Sequence, residues 1–69
     1  MSEHVYKLIE LTGSSKTSVE DAVNAAVNQA ARTVRNMRWF EVTDIRGQID
    51  NNQVAYWQVT IKIGFTVED

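Results

Sequence analysis

With 69 residues and no cysteine, the chain has room for one small domain and excludes disulfides and thiolate zinc sites; His4, the only imidazole, excludes a histidine-rich metal site. Hydrophobic residues at 43% and charged residues at 23% mark a globular chain, and a net charge of -2 offers no bulk attraction for nucleic acid or an anionic membrane. A chain this short buries only about 60% of its unfolded surface, and with disulfides and metals excluded, self-association is the remaining way to stabilise it.

The first periodic segment, His4 to Leu11, reads as a strand: Val5, Ile9 and Leu11 share one face with Lys7, and Tyr6 and Leu8 share the other with Glu10. Apolar groups on both sides predict a strand covered on both sides. Thr12 to Lys16 reads as a loop in which Gly13 supplies a positive φ. A helix follows from about Ser18 to about Arg38. Thr17 or Ser18 serves as N-cap, and Thr17-Ser18-Val19-Glu20 fits the capping-box spacing. Glu20 and Asp21 in the first turn, and Arg32, Arg35 and Arg38 in the last turns, complement the helix dipole. Val19, Ala22, Val23, Ala26, Val27, Ala30, Val34 and Met37 form one apolar stripe of small side chains, which predicts a helix lying close to a sheet.

Trp39 to Ile49 and Val54 to Phe65 read as strands joined by Asp50-Asn51-Asn52-Gln53, a tight hairpin turn whose asparagines accept left-handed backbone. In the last strand Ala55, Trp57, Val59, Ile61, Ile63 and Phe65 alternate with Tyr56, Gln58, Thr60 and Lys62, the pattern of a sheet packed on one side. In the strand before it, Phe40 and Val42 are expected toward the helix and Trp39, Glu41, Thr43 and Ile45 away from it. Gly47 marks a bend or bulge near the hairpin tip. The predicted architecture is α+β: a β-α-β-β unit, 1–69, with one helix on one face of a three-stranded antiparallel sheet.

One helix covers one face. The other carries Trp39, Ile45 and Tyr56 among polar groups, so it either packs on another copy of the sheet, receives an aromatic ligand, or does both. Aromatic side chains bury about 150–250 Å² when covered, which argues against an indole left in water.

The residues and their order resemble the dodecin family. The similarity is carried by Asn36-Met37-Arg38-Trp39-Phe40-Glu41-Val42, Ile45-Arg46-Gly47, and Gln58-Val59-Thr60-Ile61-Lys62-Ile63-Gly64-Phe65. Val5-Tyr6-Lys7, Ile9-Glu10-Leu11 and Gly13-Ser14-Ser15 extend it over nearly the whole chain. The resemblance implies a hollow homododecamer that binds flavin without catalysis, with paired flavins stacked between tryptophans related by a two-fold axis. Trp39 matches the stacking tryptophan, Gln58 the glutamine that hydrogen-bonds the ring edge, and Arg46 a basic group near the phosphate of FMN. Riboflavin is the alternative ligand. Some members also hold coenzyme A through basic residues, including an arginine after the Gly-Phe pair; Thr66 stands there in this chain, a departure that argues against coenzyme A.

The residue chemistry agrees with this reading. Indole is an electron-rich aromatic face for an electron-poor flat ring, and a glutamine amide supplies both a donor and an acceptor. Glu41 and Asp44 have no nucleophile, base or oxyanion donor around them and read as solvated or interface charges, so no catalytic residue is assigned. Arg46 has a surface ion pair with Asp44 or Glu41 as its plainer reading. Asp50-Asn51-Asn52 lacks the glycine and later glutamate of a calcium loop. No segment approaches the roughly 20 apolar residues of a membrane span, and no signal-peptide pattern opens the chain, so the expected compartment is the cytoplasm. The competing readings are a structural homo-oligomer without ligand, a coenzyme A or other nucleotide-cofactor carrier, and a flavoenzyme. A ring closed between two indoles leaves no room for a substrate, which weighs against the last.

Overall fold

The structure, a computed structural model, describes residues 3–67. Strand β1 (Val5–Ser15) leads into helix α1 (Val19–Ala30), and a long hairpin of β2 (Met37–Asp50) and β3 (Gln53–Val67) follows. The sheet order is β1-β3-β2, with both neighbouring pairs antiparallel. The β-α-β-β order and the three-stranded antiparallel sheet expected from the sequence are therefore present.

Of the two N-cap candidates helix α1 uses Ser18, one residue past the Thr17 that the expected capping box with Glu20 requires. Ser18 has an extended backbone (φ -165°), and its hydroxyl accepts from the Asp21 N–H at 3.0 Å. The buried Ser15 hydroxyl donates to the Asp21 carboxylate at 2.7 Å and accepts from the Thr17 N–H at 2.9 Å, which ties the end of β1 to the first helical turn. Ser15 also shows that β1 runs on through the segment expected as a loop. Gly13 within it has no positive φ. Its role is closeness: a Cβ there would overlap the Ala22 carbonyl oxygen, so the missing side chain lets the helix lie on the strand.

The helix ends eight residues before the expected Arg38. The Arg32, Thr33 and Val34 amides turn back onto the Gln29 and Ala30 carbonyls, and Asn36 at φ 66° redirects the chain into β2. No basic residue lies in the last helical turn. The dipole reading of Arg32, Arg35 and Arg38 is thus corrected: the first two lie in the connection and Arg38 lies in β2.

The core is the small-residue stripe Ala22, Val23, Ala26 and Ala30 on Val59, Ile61 and Ile63, edged by Ile9, Leu11, Val19, Val27 and Met37. The helix packs on β1 and β3, and β2 is exposed at every residue but Met37. One helix therefore covers two strands out of three. Phe40 and Val42 do point to the helix side, opposite Ile63 and Ile61, yet they stay exposed there.

Three register shifts shape the hairpin, between Met37 and Trp39, Val42 and Asp44, and Gln48 and Ile49. The second corrects the expected side of Ile45. Thr43 is the extra residue, its hydroxyl donating to the Thr60 carbonyl at 3.2 Å, and the parity of β2 flips after it. Ile45 then pairs with Val59 on the helix side, while Arg46 pairs with Gln58 on the open side. The tip is the expected asparagine turn, with Asn51 at φ 53° and Asn52 at φ 62°.

Candidate functional site

The open face of the sheet is organised in cross-strand rows. Leu8, Gly64 and Trp39 form one; Glu10, Lys62 and Glu41 the next; then Thr12, Thr60 and Asp44; then Ser14, Gln58 and Arg46. Direct antiparallel partners share a face, so these rows follow from the register.

Trp39 stands at one end. Its indole lies over Gly64, where an added Cβ would overlap the six-membered ring of the indole. Tyr6 meets the indole edge-on, with centroids 5.0 Å apart and planes at 68°. His4 in turn stands edge-on to Tyr6 at 6.3 Å. Edge-to-face contacts of this kind fix ring planes. The result is an indole laid on backbone, braced from one side, and still 41% exposed. It is a flat aromatic platform with a free face, and Leu8, also exposed, continues its apolar floor.

Gln58 and Arg46 stand toward the other end. The Arg46 Nε–H donates to Gln58 Oε1 at 3.1 Å. This replaces the ion pair with Asp44 or Glu41 as the contact that holds Arg46. Gln58 is half-buried and Arg46 exposed. The rows between the ends are polar, with the Thr12 and Thr60 hydroxyls 2.8 Å apart.

All three residues singled out from the sequence are on the open face, Trp39 and Gln58 by the expected alternation and Arg46 only because the Thr43 bulge reverses the parity of β2, but one chain does not gather them. Gly64, beneath Trp39, and Gln58 are six positions apart on β3, roughly 20 Å at the usual strand rise. That span exceeds a three-ring aromatic. Two copies related by a two-fold axis can bring the Trp39 of one to the Gln58 of the other.

Sequence reasoning missed two features. Gly64 is the seat of the indole; its signal was a glycine inside a strand, the mark of close approach. Arg38, the extra residue of the first bulge, donates from Nε to the Thr66 hydroxyl at 3.0 Å, so a guanidinium does reach the threonine after the Gly-Phe pair. On the helix side, Phe40 and Val42 with Val23 and Val27 line an uncovered apolar groove between β2 and α1.

Comparison with known proteins points one way. The dodecin family model matches residues 5–68. Dodecin of Thermus thermophilus is 43% identical over 65 residues, which cover 94% of each chain. The structure of dodecin from Streptomyces coelicolor superposes with a TM-score of 0.94 at 49% identity, covering 100% of this chain and 99% of that one. Dodecin from Streptomyces davaonensis superposes equally well, TM-score 0.94 at 40% identity, over 99% of this chain and 100% of the other.

Proposed function

The chain belongs to the dodecin family, small ligand-binding proteins that are generally non-catalytic, and from that premise we propose that it binds and stores flavin, FMN or riboflavin, in a hollow homododecamer. Two flavins stack antiparallel across a two-fold axis between the Trp39 indoles of neighbouring copies. Gln58 hydrogen-bonds the polar edge of the ring, and Arg46 approaches the phosphate of FMN. The protein acts in the cytoplasm as a reservoir, holding free flavin low.

The observation that carries this reading is the Trp39 platform: an indole seated on Gly64, braced by Tyr6 and left open on one face of a half-covered sheet. Offset stacking of an aromatic pair contributes roughly 0.5–1.5 kcal/mol beyond burial. The same stack brings an electron-rich indole against the ring, so the indole donates an electron to the light-excited flavin and takes it back without net chemistry. Fluorescence is quenched and photochemical damage limited.

Titration of the purified protein into FMN and into riboflavin tests the proposal. Quenching that saturates near one flavin per chain supports storage. A second reading, a structural oligomer without ligand, draws on a different observation, the exposed apolar strip of Phe40, Val42 and Ile45 on the helix side of β2. Full assembly with no quenching of either flavin selects it.

A further inference from the structure

A glutamine that reads a ring edge has an orientation problem. Its two amide ends are nearly the same size, but one accepts and the other donates. A free side chain populates both flips, and only one presents the donor where a carbonyl oxygen needs it. In this chain the flip is decided by a cross-strand neighbour. Arg46 pairs directly with Gln58 in the β2–β3 register, and its Nε–H points at Gln58 Oε1 from 3.1 Å. A guanidinium has donors only. The opposite flip would set the Nε–H against the amide N–H groups, exchanging an attractive contact for a repulsive one. The side-chain hydrogen bond that Gln58 makes among the described residues is the one from Arg46.

We infer that Arg46 is a positioning residue: by engaging Oε1 it commits Gln58 to presenting its Nε2 donors, and Gln58 thereby recognises a carbonyl oxygen on the ring edge of the ligand. The inference rests on the flavin reading above. It adds a second role to the guanidinium, whose Nε serves Gln58 while its terminal amino groups remain available to a phosphate. The chemistry recognised is that of a planar ring whose edge carries carbonyl acceptors.

Riboflavin separates the two roles because it has no phosphate. Its affinity, read by fluorescence quenching, is measured for wild type, Arg46→Ala, Gln58→Ala and the double variant, with native mass checked for each. Arg46→Ala is expected to weaken riboflavin about three- to tenfold, the scale of one neutral hydrogen bond. The double variant should be no weaker than Gln58→Ala alone, since Arg46 acts through that amide. Gln58→Glu keeps an acceptor for Arg46 but removes the donor, and should bind at least as poorly as Gln58→Ala. Unchanged riboflavin affinity in Arg46→Ala, additive losses in the double variant, or wild-type affinity in Gln58→Glu would each overturn the assignment. Failure of the wild-type protein to quench any flavin would instead remove the flavin reading itself.

Discussion

The two ends of the open sheet face are built by opposite means. At the Trp39 end, position is set by packing: a glycine removes a side chain, the indole settles on the backbone, and Tyr6 fixes its tilt. At the Gln58 end, position is set by a hydrogen bond between two long, partly exposed side chains. The first end gives a ligand area and little direction. The second gives direction and little area. About 20 Å of strand divides them, and in the proposed site the two contributions meet where one copy's platform faces another copy's amide. In the proposed assembly a short chain thereby builds a site larger than itself.

The contrast implies an order of sensitivity. Trp39→Ala removes the platform outright and should weaken flavin binding by about 2–4 kcal/mol, the range of a central aromatic anchor. Native mass should stay unchanged, because the indole is not part of the helix–sheet core. Equal flavin affinity in the variant would take Trp39 out of the site. Gly64→Ala breaks the same end while leaving the indole present. The new methyl collides with the ring, a change of the small-to-large class that costs about 1–3 kcal/mol. Loss of quenching with assembly retained is expected, and quenching as strong as wild type would show that the seat of the indole is irrelevant.

At the other end the expected effects are smaller. Gln58→Ala leaves stacking intact and should lose about 0.5–1.5 kcal/mol of affinity, measured by the same titration; no loss would mean that backbone or water reads the ring edge. Arg46→Ala should weaken FMN about two- to fivefold more than it weakens riboflavin, the difference being an exposed charge contact with the phosphate. Equal losses for the two ligands would dismiss the phosphate contact.

Much of this was legible in the sequence. The strict alternation of β3, the capping signal at Ser18 and the Asn51-Asn52 turn each report a local preference, and each appears in the fold. Trp39 on the open face followed from the same parity. What escaped was non-local. A bulge adds one residue and carries no compositional mark, so the extra Thr43 that turns Ile45 toward the helix side was invisible, as was the bulge that brings Arg38 to Thr66. The helix was read too long because Val34 and Met37 continue its apolar period after the helical geometry that gives the period meaning has ended. Gly13 was read as a positive-φ loop residue when its use is close contact with Ala22. Periodicity says which side a residue takes. It does not say how far along the strand two residues of one side stand, and that distance is what divides the proposed site between copies.

Native mass spectrometry after incubation with FMN tests the stacked-indole site most directly. Wild-type protein should fly as a twelve-chain assembly retaining flavin, and Trp39→Ala as the same assembly without it. Equal flavin loading of the two proteins, or a wild-type assembly that retains none, would contradict a flavin held on the Trp39 platform.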